Sequence, residues 1–188
     1  MPEICVVAGG NKLGGSLSSL KVMIVDDNKH MRTLLETVLR AFGCVDFIHA
    51  NDGQDAIAQL QVKSPDLIIT DIEMEGMGGI EMTKAVRAGK AGDNPLVPII
   101  MVSGYSSIEQ VSAARNAGIN EFLVKPINIQ GIFTRLQSVI ERPRPFVRTK
   151  SYFGPDRRRN KKAEYTGDER REEEAVVEVE TQPRSVFG

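Results

Sequence analysis

Five short apolar runs alternate, in the middle of the chain, with longer segments in which apolar residues recur at helical spacing. The runs are KVMIV, VDFIH, DLIIT, VPIIMV and EFLV, at residues 21–25, 45–49, 66–70, 97–102 and 121–124. Nearly continuous runs of this kind are typical of strands in a parallel sheet that is buried on both faces, because a strand at a surface alternates polar and apolar residues. We therefore predict five buried parallel strands.

The segments between and after the strands have the spacing of amphipathic helices. Apolar residues recur at this spacing in 31–42 and again in 129–140,. Three weaker segments, 55–63, 79–88 and 107–116, each lie between two strands and are long enough for a crossover helix,. The pattern predicts an α/β fold of five βα units, (βα)5, which right-handed crossovers wind into a doubly wound parallel sheet.

Composition divides the chain into three parts. Residues 1–19 are a Gly- and Ser-rich leader without apolar periodicity, residues 20–141 carry the βα pattern, and residues 142–188 are dominated by charge,. A length of 188 residues suits one ordinary domain with extensions rather than two large cores,. We expect one domain between a flexible leader and a charged tail, with both termini extended or disordered.

Charge and cysteine content limit the classes of function. The formal net charge of -1 predicts no overall attraction to nucleic acid or to acidic membranes,. No apolar run approaches the ~18 residues of a membrane span,, and the two cysteines, Cys5 and Cys44, could form at most one disulfide,. We expect a cytoplasmic protein that does not insert into a membrane.

Polar residues follow four of the five predicted strands. Asp26 and Asp27 follow the first strand, Asp71 the third, Ser103 the fourth and Lys125 the fifth. In a doubly wound sheet the carboxyl ends of the strands meet at one edge, where ligands bind. Each residue alone is as readily a turn former, a helix cap or a solvated charge, but their conjunction at one edge predicts a functional site.

Three carboxylates at one edge predict a bound cation. Without it they repel one another, and each holds its proton more tightly. Mg²⁺ prefers oxygen ligands and usually keeps several waters, so two or three carboxylates and a phosphate oxygen suit it. One carboxylate can then attack phosphorus to give an acyl phosphate, while Lys125 and the hydroxyl of Ser103 hold the phosphoryl oxygens.

Over residues 20–141 the sequence resembles the response-regulator receiver domains of two-component signalling, the CheY-like superfamily. Four motifs stand in family order and spacing: VDD with the acidic pair, LIITDIEM around Asp71, IIMVSGY around Ser103 and AGINEFLVKPI around Lys125. The resemblance implies a flavodoxin-like sheet with strand order 2-1-3-4-5. It also implies a phosphorelay protein that receives phosphoryl from a histidine kinase or phosphotransfer protein and acts on a downstream protein target.

The resemblance assigns the acceptor and the metal site. Asp71 is the phosphoacceptor, and Asp26 and Asp27 are the metal-binding pair. The backbone carbonyl of Glu73 completes the Mg²⁺ shell together with these carboxylates. The protein is then a signalling receiver rather than an enzyme, with at most self-catalysed phosphoryl transfer and autodephosphorylation.

The resemblance also assigns a switch. Ser103 is the switch hydroxyl, Phe122 the rotating aromatic residue and Lys125 the phosphate-contacting lysine. Pro126 follows a peptide bond that is typically cis, a conformation that is rare without proline. Phosphorylation should draw Ser103 toward the phosphoryl group and let Phe122 move inward.

Three positions depart from the usual family pattern. Glu75 stands where the family usually has Pro, and Gly78 stands where it often has Asp. We expect a looser loop after Asp71, with the charge of Glu75 added near the site. Phe122 replaces the common Tyr, so the switch must work by packing without a hydroxyl group.

The tail resembles no known output domain but contains a duplicated pattern. SYFGPDRRR and EYTGDERR share the spacing Tyr-x-Gly-x-acid-Arg-Arg. The aromatic and basic residues of the two copies are Tyr152, Arg157, Arg158, Tyr165, Arg170 and Arg171. The tail is therefore either a solvated, disordered linker or a pair of docking motifs suited to carboxylates, phosphates or RNA.

Two other functions stay open from the residues. One is an Mg²⁺-dependent phosphatase with an aspartate nucleophile, although that class has a second Asp where this chain has Glu73, and the chain has no cap domain to enclose a substrate. The other is nucleic-acid binding by the Arg-rich tail, which would depend strongly on salt.

Overall fold

All five predicted strands and all five predicted helices are present. The computed structural model describes residues 17–104 and 107–157, together with the backbone of 177–179. The strands of the main sheet are β1 (Lys21–Val25), β2 (Asp46–Ala50), β3 (Leu67–Asp71), β4 (Ile99–Ser103) and β5 (Glu121–Val124). The helices are α1 (Lys29–Ala41), α2 (Gly53–Leu60), α3 (Gly79–Arg87), α4 (Ile108–Ala117) and α5 (Ile129–Glu141).

The order of the strands creates a crevice at one end of the sheet. All five strands are parallel and lie in the order β2-β1-β3-β4-β5. The direction of winding reverses between β1 and β3, and at such a point the carboxyl ends of neighbouring strands open into a crevice. The predicted doubly wound, flavodoxin-like fold is confirmed.

Two apolar layers cover the sheet, one on each face. In β1, Met23 packs into the layer that contains residues of α2 and α3, whereas Ile24 packs into the layer that contains residues of α1 and α5. β3 and β4 are buried along their whole length, which explains why their sequences are nearly continuous apolar runs. None of the described helices combines the length and the apolar character needed to cross a lipid bilayer.

A polar side chain shortly after β1 determines where α1 begins. The side-chain oxygen of Asn28 accepts from the N–H groups of His30 and Met31 at the start of α1. Such caps satisfy N–H groups that the first turn of a helix leaves unpaired. Because this cap follows β1 so closely, Asp26 and Asp27 are held in a short turn at the end of the strand.

After α5 the chain continues into a small antiparallel sheet. β6 (Phe146–Arg148) pairs with β7 (Phe153–Pro155) on one side and with β8 (Val177–Val179) on the other. Phe146 is only 1% exposed, and its ring lies under the guanidinium of Arg87, 5.0 Å from centroid to Cζ. From the sequence we expect an extended or disordered tail after residue 142. This part of it is instead folded, because a buried aromatic ring anchors it to the domain.

The leader also differs at its end from the flexible segment expected over residues 1–19. Leu17 is buried and packs in the same layer as Leu39 of α1. Residues 1–16 lie outside the described part of the chain. The apolar layer under α1 therefore extends beyond the first strand toward the leader.

Arg87, at the end of α3, is a buried cation held by neutral oxygens. It donates to the carbonyls of Gly118, Pro95 and Val97 at 2.6–2.8 Å and to the side-chain oxygen of Asn120 at 3.2 Å. Burial lowers the pKa of Arg87 to about 9, against a smaller opposite effect of Tyr152. The guanidinium therefore keeps its charge at neutral pH, and the four oxygens replace the water that it loses on folding.

Two leucines of α1 test this packing in one helix. Leu39 is fully buried, whereas Leu34 is 48% exposed. Leu39→Ala should lower the free energy of unfolding by about 2–5 kcal/mol, because it removes buried methyl groups and leaves a cavity. Leu34→Ala, the control, should lower it by less than about 1 kcal/mol. Urea denaturation measures both, and equal losses would contradict the orientation of α1.

Candidate functional site

The predicted polar residues lie together at the carboxyl end of the sheet. Asp71 is the last residue of β3 and Ser103 the last residue of β4, while Asp26 and Lys125 directly follow β1 and β5. Asp26, Asp71 and Ser103 are buried, and Lys125 is half-buried. The parallel order of the strands thus brings residues from four separate segments to one crevice.

The ammonium group of Lys125 joins two of the carboxylates. Its Nζ donates to Oδ2 of Asp71 at 2.5 Å and lies 3.6 Å from Oδ2 of Asp26. The other oxygen of Asp71 accepts from the N–H of Ile72 at 2.7 Å, and the other oxygen of Asp26 accepts from the N–H of Asn28 at 2.8 Å. One cation therefore compensates two buried anions, and backbone N–H groups hold their remaining oxygens.

Burial and charge act in opposite directions on the ionisation of this cluster. Burial raises the pKa of Asp26, and the negative charges of Asp71 and Asp27 add to the rise, against the hydrogen bond from Asn28 and the charge of Lys125. For Lys125, burial alone would lower the pKa, but the hydrogen bond and charge of Asp71 and the charge of Asp26 outweigh it, so the pKa is raised. Lys125 therefore stays protonated, whereas ionised Asp26 is destabilising to the folded state.

The backbone positions Lys125 independently of its charge. The N–H of Lys125 donates to the carbonyl of Ser103 at 2.7 Å. The Lys125–Pro126 peptide bond is cis, as the resemblance implies. The ends of β4 and β5 are thus tied together immediately beside the acidic pair.

Gly79 is a residue of this site that the sequence reasoning did not identify. A Cβ built at Gly79 would lie only 2.0 Å from the carbonyl oxygen of Asp71 and 2.9 Å from the hydroxyl oxygen of Thr70. Only glycine allows the start of α3 to approach the end of β3 this closely. The signal in the sequence was the glycine pair, Gly78 and Gly79, at the start of a predicted helix. Glycine is unfavourable within a helix, so its presence there indicates a close approach of another segment.

A family comparison agrees with this geometry. The family model described as "Response regulator receiver domain" matches residues 22–137, which is more than half of the chain. The chain belongs to this family. Receiver domains are signalling modules of two-component systems rather than enzymes in the usual sense, and their signalling depends on phosphorylation.

The receiver is similar to curated proteins of different overall length. The chemotaxis protein CheY of Pseudomonas aeruginosa is 33% identical over 123 residues, which cover 65% of this chain and 98% of that protein. The transcriptional regulatory protein ZraR of Salmonella typhimurium is 34% identical over 123 residues, which cover 65% of this chain but 26% of that protein. The similarity is therefore to a domain that occurs both alone and within longer proteins.

Solved structures show the same fold. The Vibrio cholerae chemotaxis protein CheY4 matches with a TM-score of 0.59 and 33% identity, covering 64% of this chain and 98% of that one. The receiver domain of the sensor histidine kinase PA1611 from Pseudomonas aeruginosa matches with a TM-score of 0.56 and 26% identity, covering 63% and 94%. That structure has a magnesium ion coordinated in its active site cleft.

The donor groups of this receiver are compatible with a hard divalent cation. Asp26 and Asp71 converge on one point, the Nζ of Lys125. Among the described residues, no group of three or more Asp, Glu, His or Cys side chains has the arrangement of a metal site. Mg²⁺ binds through one or two carboxylates, keeps several waters and takes the rest from phosphate oxygens. Two converging carboxylates therefore fit it without a complete protein cage.

Two hydrogen bonds hold the loop that follows Asp71. The N–H of Glu75 donates to Oδ2 of Asp27 at 3.0 Å, a bond that the proline expected at this position lacks the N–H to make. The carboxylate of Glu73 accepts from Nε2 of Gln110 in α4 at 2.9 Å. The loop is thus bonded both to the acidic pair and to α4, and nothing in the sequence indicated Gln110.

The remaining candidate residues lie elsewhere in the receiver. Phe122 is half-buried in β5 and packs on the apolar layer that contains Met101. Tyr152 and Arg157 belong to the segment around β7, not to the Asp71 cluster. The other tail candidates lie outside the described residues: Arg158, Tyr165, Arg170 and Arg171.

The raised pKa of Asp26 predicts a pH-dependent effect of its removal. Folding favours protonated Asp26, so its ionisation destabilises the fold as pH rises through the folded-state pKa. Asp26→Asn should therefore raise the urea midpoint at pH 7. The gain should shrink as pH falls through the raised folded-state pKa, and it should be lost below the pKa of an unfolded Asp, ~3.9,. Asp27→Asn, an exposed neighbour, is the control and should change the midpoint little. A gain for Asp26→Asn that is independent of pH would contradict this explanation.

Proposed function

We propose that this receiver accepts a phosphoryl group on Asp71 from a histidine kinase or phosphotransfer protein in the cytoplasm. The phosphorylated state is then read by a downstream protein that binds the receiver. The observation that supports this most is the Lys125 ammonium bonded to Asp71 and beside Asp26, at the open end of the sheet. A lone buried ion pair is a poor source of stability, so this arrangement is better explained by chemistry.

The residues of the site have complementary tasks in the transfer. A carboxylate oxygen of Asp71 attacks phosphorus, and the bond from phosphorus to the imidazole nitrogen of the donor's phosphohistidine breaks, leaving its electron pair on nitrogen. Mg²⁺, when bound by Asp26, Asp27, Asp71 and the backbone carbonyl of Glu73, supplies positive charge opposite the phosphoryl oxygens. Lys125 moves from the Asp71 carboxylate to one of these oxygens, so its charge follows the charge of the transferred group.

Ser103 and Phe122 convert the new phosphoryl group into a change of surface. The Ser103 hydroxyl, at the end of β4, donates to a phosphoryl oxygen, and Phe122 moves inward in β5. The surface formed by α4, β5 and α5 then differs between the two states. A partner can sense the difference only if it binds the two states with different affinity.

Labelling tests the acceptor. Acetyl phosphate or a phosphohistidine donor with Mg²⁺ should transfer one phosphoryl group to the protein, and it should be alkali-labile because an acyl phosphate hydrolyses readily. Asp71→Asn should abolish the label, since the amide is not a nucleophile of this kind. Intact mass and peptide mapping measure the site. Undiminished or acid-stable labelling of Asp71→Asn would refute the assignment.

Titration tests the metal site. Asp27→Ala should weaken Mg²⁺ binding about tenfold or more, comparable to the loss of a supporting group at a metal site, and should slow phosphorylation by acetyl phosphate. Asp46→Ala, an exposed acid at the start of β2, is the control. Calorimetric titration of the unphosphorylated protein separates metal binding from transfer. Equal Mg²⁺ affinity of both variants would refute the role of Asp27.

A further inference from the structure

The segment 144–157, here called the C-terminal hairpin, packs against the junction of α4 and β5 without free space. Gly118 follows α4 with φ +99°, a conformation that favours glycine,. A Cβ at Gly154 would lie 2.8 Å from the Cα of Gly118, and a Cβ at Gly118 would lie 2.9 Å from the carbonyl oxygen of Phe153. The two backbones therefore touch directly, and glycine is required on both sides.

Two arginines attach the hairpin to the same region. Arg115 of α4 donates to the carbonyl of Arg157, and Arg144 donates both to the carbonyl of Asp156 and to the carboxylate of Glu121, each at 3.4 Å. Glu121 begins β5 and also accepts from Ser138 of α5 at 2.9 Å. These bonds connect the hairpin directly to α4 and β5, and Glu121 in turn is bonded to α5.

The first copy of the duplicated Tyr-x-Gly-x-acid-Arg-Arg pattern, which begins at Tyr152, forms the part of the hairpin that packs on Gly118. The hydroxyl of Tyr152 donates to the carbonyl of Pro155 at 2.8 Å, and the guanidinium of Arg157 lies 3.7 Å from the centroid of the Tyr152 ring. The ring fills the space above Gly154, where a Cβ would lie 2.5 Å from the Tyr152 oxygen. The spacing of Tyr, Gly and Arg thus builds a compact turn that packs on the receiver itself.

The hairpin lies outside the part of the chain that matches the receiver family but close to the proposed switch residue. The family match ends at residue 137, before the hairpin begins. Phe122, the proposed rotating residue, is next to Glu121 in β5, and its carbonyl accepts from Nε of Arg135 in α5 at 3.0 Å. Movement of Phe122 therefore acts one residue away from the anchor of Arg144.

We propose that the C-terminal hairpin is the receiver's own first output partner: it is docked on the α4–β5 junction in the unphosphorylated state and released when Asp71 is phosphorylated. The release rests on the proposed function. Its direction follows from the packing, since a glycine–glycine contact without space fits one relative position of α4 and β5, and close-packed contacts switch rather than deform. Release uncovers the α4–β5 junction and frees the Tyr and Arg residues of the first copy for a partner protein.

Hydrogen exchange of the full-length protein measures the release. Beryllofluoride with Mg²⁺, a mimic of the acyl phosphate, should speed amide exchange in peptides covering 146–156 about fivefold or more, the lower range of coupling between two sites. Asp71→Asn should show no change. Binding of the mimic is followed separately by ¹⁹F NMR.

Reciprocity supplies a second, independent test. If the mimic opens the hairpin, a variant with an open hairpin must bind the mimic more tightly by the same factor. Gly154→Val should open it, because the added side chain meets Gly118 and Tyr152. Arg144→Ala should open the hairpin in part, because it removes the bonds to Asp156 and Glu121. This variant adds no atoms, so it replaces Gly154→Val in the test if Gly154→Val fails to fold. Lys150→Ala, at an exposed position of the turn, is the matched control and should leave exchange and affinity unchanged.

The outcomes separate the two proposals. If wild type does not bind the mimic, or Asp71→Asn binds it equally, the proposed function fails. If wild type binds the mimic through Asp71 but hairpin exchange is unchanged or slower, only the release proposal is overturned. Faster exchange together with unaltered mimic affinity in both Gly154→Val and Arg144→Ala also overturns it, because linkage requires the two effects to match.

Discussion

The contact between Lys125 and the two buried carboxylates, Asp71 and Asp26, is the interaction on which the rest of this receiver depends. Two anions at the end of a buried sheet are unfavourable unless a cation lies within a few ångströms. Lys125 reaches both because β5 ends beside β4, and β4 beside β3. In the phosphoryl transfer that we propose, the same ammonium group that balances these acids would move to a phosphoryl oxygen.

This arrangement is kept at some cost to stability. Asp26 is buried and its pKa is raised, so the folded state is more stable with this carboxyl protonated than with it ionised. The backbone around the acids offsets part of that cost, with N–H groups of Asn28 and Ile72 on their free oxygens. Gly79 lets α3 close against Asp71. Rigid support behind a strained electrostatic site is what a reaction centre requires.

Arg87, at the end of α3, is a buried cation that is stabilised in a different way from Lys125. Arg87 is held by carbonyl and amide oxygens rather than by acids, and the ring of Phe146 covers it. The C-terminal hairpin is therefore not an appendage that happens to lie nearby, since it completes the burial of a charge that the receiver itself carries. Because the hairpin also packs against Gly118 between α4 and β5, we expect it to respond to movement of these two elements.

The sequence by itself determined the (βα)5 fold and the position of Asp26, Asp27 and Asp71 at the ends of the first and third strands. The fold could be predicted because a continuous apolar run indicates a strand that is buried on both faces. The position of the acids could be predicted because parallel strands have their carboxyl ends at the same edge of the sheet. Only the tertiary structure decided that Lys125 bridges Asp26 and Asp71, that Glu75 bonds Asp27, and that Arg87 and Phe146 are buried against each other. Those pairs join residues far apart in the chain, 54 positions for Lys125 and Asp71, and a single charged or aromatic residue in RPRPFVRTK or at a helix end has no periodicity to reveal its partner.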